Sequence, residues 1–206
     1  MESNWAADNL QVIRTLMERS AIYRRALAPI MIASGSIGLL AAVVTCFVKI
    51  SSPAAFAGFW MVVGLLAVAA SFLLVRRQAL HSAEPFWSPP TRRVTQALLP
   101  GLMAGLALGV WVMLRGRAWP IWLLPPVWVA LYGCALHAAG FFMPRGMKLF
   151  GWGFVATGSA LFFWLSAAPA WQTAEAGHYV MGIHFGVLHL AYGAYLYVTE
   201  SRKQAP

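Results

Sequence analysis

Residues 178–197 read HYVMGIHFGVLHLAYGAYLY, which places three of the chain's five histidines in an otherwise apolar run. An imidazole in hydrocarbon is costly enough to mark a functional-site hypothesis, provided a partner can be named. Two roles suit it: axial ligation of a haem iron by one imidazole from each of two facing helices, or a hydrogen bond that ties one helix to another. At about 100° per residue in an α-helix, Gly182, Gly186, His189, Gly193 and His178 share one stripe, whereas His184 falls on the opposite face. The three rings therefore do not make one ligand set. His178 stands about 16 Å along the axis from His189, at the outer surface. In ALYGCALHAAGFF, Ala130, Gly133 and Gly140 share a face with His137, so His137 and His189 are the candidate pair. They differ in level by about 6 Å, which favours helix-to-helix hydrogen bonding over haem binding. No cofactor is expected; haem or quinone binding stands as the alternative.

Other chemistries find less support. Glu2, Asp8, Glu18, Glu84, Glu175 and Glu200 all lie outside the apolar runs, so no buried acid is in place to carry protons or bind a cation. Cys46 and Cys134 fall inside those runs and form neither a disulfide framework nor a metal-binding spacing. No catalytic residue and no metal ligand set is expected. Rhomboid proteases are similar in having six spans with a catalytic histidine on the sixth, but their nucleophile is the serine of a GxSG motif on the fourth. Here that span reads YGCALHAAG, and the match fails at the residue that matters, leaving Cys134.

The elements that must position these side chains follow from composition. With 206 residues, 60% of them hydrophobic and 10% charged, and a mean hydropathy of +0.67, the chain lies outside the range of soluble domains. Six apolar runs lie near Ala26–Val48, Ala54–Val75, Val94–Leu114, Ile121–Phe142, Leu149–Ala168 and His178–Val198. Each is long enough to cross roughly 30 Å of hydrocarbon. The expected fold is an all-α membrane protein: a cytoplasmic amphipathic segment over 1–25, a six-helix transmembrane bundle over 26–198 and a cytoplasmic tail over 199–206.

In the first segment, DNLQVIRTLMERSAIYRR, Asp8 and Gln11 resemble a capping box while Leu10, Ile13, Met17 and Ala21 recur on one face. This predicts an interfacial helix with snorkelling arginines. A cleaved signal peptide is not expected, because the first apolar run begins behind Glu2, Asp8 and Glu18.

Of the 15 Lys and Arg, only Lys49, Arg115 and Arg117 lie in the first, third and fifth connections. The remainder sit in the N-terminal segment, the second and fourth connections and the tail, which puts both termini in the cytoplasm. The net charge of +9 is what orientation and anionic headgroups require, and without a basic and aromatic platform nucleic acid is not an expected partner. The second connection, RRQALHSAEPFWSPPTRR, carries Phe86 and Trp87 at headgroup level and three prolines that forbid one continuous helix.

Ala97, Gly101, Gly105 and Gly109 repeat every four residues in the third run, a seam for close approach of another helix. A second copy of the chain could occupy it as well as a neighbour within the chain. Gly182, Gly186 and Gly193 make a similar stripe in the sixth run. RRALAP is echoed by RRVTQALLP, and IASGS in the first run by VATGS in the fifth. Pro125 and Pro126 either break the fourth run or begin its helix.

LMERSAIYRRALAP, ALYGCALHAAGFFMPRGMKLFGWGF and FGVLHLAYG together resemble a group of uncharacterised bacterial six-span inner-membrane proteins. The resemblance implies a bacterial cytoplasmic-membrane protein and carries no activity with it. The expected function is a non-enzymatic regulatory or scaffolding component that meets a cytoplasmic protein partner; a small-solute or lipid-handling permease is the alternative. Reporter fusions at Ser52 and Glu175 are expected to report the outside and one at Glu84 the inside. An outside signal at Glu84 refutes the six-span topology.

Overall fold

Hydroxyl side chains and prolines start the helices. Ser52 accepts a bond from the Ala55 amide at 3.2 Å ahead of Pro53, and Thr173 accepts one from Ala176 at 3.1 Å, each satisfying an amide the helix cannot. Pro125 and Pro126 occupy the first turn of their helix, where a missing N–H costs nothing, so they begin the fourth span and do not break it.

The computed structural model describes residues 27–81, 85–115, 119–143 and 145–201, and its regular structure is helical. In order come α1 (Leu27–Phe47), α2 (Pro53–His81), α3 (Pro89–Arg115), α4 (Leu124–Ala139) and α5 (Arg145–Ala167). A short 3-10 turn, Ile121–Leu123, precedes α4, and another, Pro169–Trp171, follows α5. Then come α6 (Ala174–Met181), a π-helical segment (Gly182–Leu188) and α7 (His189–Ser201). The N-terminal segment with its expected interfacial helix lies outside the described residues, as do Glu84 and residues 202–206.

Among the described residues five helices are long and apolar enough to cross a membrane: α1, α2, α3, α4 with its preceding turn, and α5. The sixth apolar run is not one regular helix, because the wider winding of Gly182–Leu188 divides it into α6 and α7. Helices also reach further than the apolar runs. α2 continues through Arg76 and Arg77 to His81, and α3 starts at Pro89, so most of the second connection is helical.

Close packing occurs where glycines meet. A Cβ on Gly133 would lie 2.6 Å from the Val155 amide nitrogen, one on Gly151 2.5 Å from that of His137, and one on Gly158 2.7 Å from that of Ala130. α4 and α5 are thus in backbone contact along their length, and the small-residue face that carries His137 is the face turned to α5. The third-span seam faces α4: Gly101 meets the Leu131 carbonyl and Ala135, while Gly105 and Gly109 meet the Trp128 ring. Gly105 has more room, with a Cβ finding the ring at 3.5 Å. Ala97 packs beside Val94 and Ala139.

Gly182, Gly186 and Gly193 are turned to Ala42, Leu39 and Ile32 of α1, and Gly35 of α1 answers at Leu190 and Gly186. The echoed phrases IASGS and VATGS therefore each supply a contact glycine, Gly35 toward the last span and Gly158 toward α4.

Adding a methyl group discriminates contact from open space. Gly151→Ala is expected to destabilise the bundle by about 1–3 kcal/mol, since backbone would have to move. Gly153→Ala, where no atom lies within 4 Å, is expected to be neutral or stabilising by helix propensity. Thermal unfolding in detergent measures both, and equal losses would mean that α4 and α5 are not in backbone contact.

Candidate functional site

The sixth apolar run holds its three histidines at three levels, each bonded to a different neighbour. Near the start of α6, His178 is 7% exposed, and its Nδ1 accepts from Trp60 Nε1–H of α2 at 3.0 Å. Indole nitrogen is a donor only, so the ring proton sits on Nε2, which donates to the Ile50 carbonyl at 3.0 Å. Phe56 lies against this ring at 4.7 Å between centroids. One imidazole thereby ties the last span to α2 and to the connection before it.

His184, 5% exposed, donates Nδ1–H to the Val180 carbonyl at 2.8 Å, one turn back. Its Nε2 is left to accept, and the Thr157 hydroxyl of α5 stands 3.1 Å away. The Gly153 carbonyl competes for that hydroxyl proton at 2.7 Å.

His189 is 1% exposed. It donates Nδ1–H to the carbonyl of His184, five residues earlier, at 2.8 Å, and its Nε2 accepts from the Tyr132 hydroxyl of α4 at 2.9 Å. Tyr132, Phe150, Phe154 and Phe185 surround the ring, with centroids 5.4 to 6.0 Å from it. Both nitrogens are occupied, and the tautomer follows from the carbonyl, which can only accept.

The π-helical segment explains why this differs from the arrangement expected of a regular helix. Its hydrogen bonds span five residues rather than four, so each residue advances less around the axis and His189 is carried off the glycine stripe. Gly182, Gly186 and Gly193 keep to α1, while His189 turns to α4 and α5. The same winding brings His184 and His189, expected on opposite faces, against one ring: Phe154 meets them edge-on at 5.4 and 5.5 Å.

His137 is elsewhere. Half-buried, its ring lies against Phe141 and Trp152 at 5.3 and 5.2 Å, and its Nδ1 reaches the Lys148 carbonyl at 3.5 Å, the limit for a hydrogen bond. Lys148 Nζ stands 3.7 Å over the Phe141 ring, a cation–π contact. None of the described hydrogen bonds or ring contacts joins His137 to His189. Their neighbours are separate sets, although both residues face α5 from α4 and from the last span.

Among the described residues no group of three His, Cys, Asp or Glu side chains could hold a metal ion. Cys134 is exposed on α4. The residues that complete the site, Tyr132, Thr157 and Trp60, were readable as a class, since a hydroxyl or indole N–H in an apolar run needs a partner, but not as assigned pairs. No family model, curated protein or solved structure matches the chain.

The Tyr132–His189 bond can be weighed with a double-mutant cycle. Interhelical hydrogen bonds in membranes average about 0.6 kcal/mol and reach about 1.7, so Tyr132→Phe and His189→Leu together are expected to cost less than their sum by an amount in that range. Detergent unfolding of the four proteins measures it. Strict additivity would mean that the two groups do not interact.

Proposed function

We propose that the chain is a six-span protein of the bacterial cytoplasmic membrane, with both termini cytoplasmic, that works as a regulatory or scaffolding component. The basic-residue distribution supports the orientation, and the continuous helical stretch from Ala174 to Ser201, its π-helical segment included, supports a sixth span. The observation that carries the functional reading is that the imidazoles of that run are engaged by the chain itself: His178 and His189 each use both ring nitrogens on groups of the same chain, and His184 uses Nδ1 on the Val180 carbonyl with its Nε2 beside the Thr157 hydroxyl. Rings held in this way join helices, and the two that are bonded through both nitrogens, His178 and His189, hold none in reserve for a ligand. The working surfaces are then the cytoplasmic ones, the N-terminal segment and the ends of α2 and α3, where a protein partner would dock.

A second reading draws on the π-helical segment. Such segments occur frequently at functional sites, and a permease for a small solute or lipid could use one as the place where a span changes its winding.

Purification in mild detergent with mass analysis and an absorption spectrum separates these readings. The expected result is a cytoplasmic protein retained by the full chain and lost when residues 1–25 are removed, with no Soret band. A Soret band abolished by both His137→Gln and His189→Gln would replace this reading with haem binding. Substrate-dependent uptake into vesicles, with no retained protein, would replace it with the permease.

A further inference from the structure

α2 is longer than a bilayer needs. Its 29 residues extend about 43 Å at 1.5 Å per residue, against roughly 30 Å of hydrocarbon. The surplus is directed by where the helix is held. Phe56, Ala57 and Trp60 are buried in its first turns, and Trp60 is bonded to His178, so the start of α2 is fixed in the bundle and its other end projects into the headgroup layer.

At that end Ala79 is buried and Phe72 packs on Phe86, but another face is left open by the described residues. Leu73, Arg76, Arg77, Leu80 and His81 line one shallow groove, and their spacing of three and four residues puts them on a single helix face. All five are exposed. No ion pair of Arg76 or Arg77 occurs among the described side chains. The one carboxylate among those side chains, Glu175, lies at the start of α6, near the opposite end of α2. Two guanidinium groups and an imidazole thus stand together at the level of lipid phosphates. Below them the same side of α2 continues as exposed Leu66 and Val62, a path for an acyl chain.

We propose that this face of α2 is a binding site for an anionic phospholipid, with the phosphate held by Arg76, Arg77 and His81 and one acyl chain lying along Leu73 and Leu66. Guanidinium groups match phosphate oxygens in planar, paired hydrogen bonds. The lipid is selected by charge complementarity: a zwitterionic headgroup brings its own ammonium to the groove and gains less from two fixed cations.

Native mass spectrometry of the full-length protein, titrated with phosphatidylglycerol or with phosphatidylcholine of the same acyl chains, tests the site. Phosphatidylglycerol is expected to be retained at lower concentration. Each basic residue near a membrane surface contributes about 1 kcal/mol, so Arg76→Gln with Arg77→Gln should weaken retention about 30-fold and Arg77→Gln alone about fivefold. Arg115→Gln, at the other end of the bundle, should leave it unchanged. If the double variant does not fold, the single variant carries the test. Equal retention of the two lipids, retention unaffected by Arg77→Gln, or full competition by glycerol phosphate without acyl chains would each overturn the proposal.

Discussion

Lipid tails are as apolar as the side chains they surround, so burial gives no net drive to bring two helices together in a membrane. What remains is close contact of atoms, and in this bundle it is strongest where backbone meets backbone at glycine. Gly133, Gly151 and Gly158 set α4 on α5, and Gly35, Gly182, Gly186 and Gly193 set α1 on the last span. Once these pairs are at backbone distance, the levels and facing of the side chains between them are fixed, and the histidine bonds can form without long reaches.

The buried imidazoles follow from that closeness. Each would cost free energy if left unbonded in an apolar interior; His178 and His189 are each matched by one donor and one acceptor of fixed kind, and in all three rings a carbonyl acceptor determines which nitrogen carries the proton. The aromatic rings around His189 exclude other partners. Phe154 is the common element, since it packs on His184, His189, Tyr132 and Phe150. The widened winding of Gly182–Leu188 lets glycines on one side and histidines on the other meet different helices, which a uniform α-helix of this sequence would not allow.

α2 is the exception to the dense packing. Few of its residues past Trp60 are buried, and the polar contact of its second half to α1 is the Ser34–Ser71 pair at 3.5 Å. A helix held mainly at one end, with one face open along much of its length, is suited to meeting lipid or another protein, whereas α4, enclosed by α3 and α5, is suited to holding the bundle together.

Some of this was legible in the amino-acid sequence, because it depends on local composition and on one-dimensional spacing. Apolar run length marks the spans, and glycines four residues apart mark the seams at Gly101–Gly109 and Gly182–Gly186. The prolines at 125 and 126 mark a helix start whatever surrounds them. The facing of His184 and His189 was not legible, since residue spacing implies a facing only for a winding of 3.6 residues per turn and the sixth apolar run departs from that winding between them. Nor was the choice of Tyr132, Thr157 and Trp60 as partners over the other polar groups in the apolar runs. A hydrogen bond requires two groups at one level on facing helices, and which helices face each other at which level is decided when all the glycine contacts are made at once.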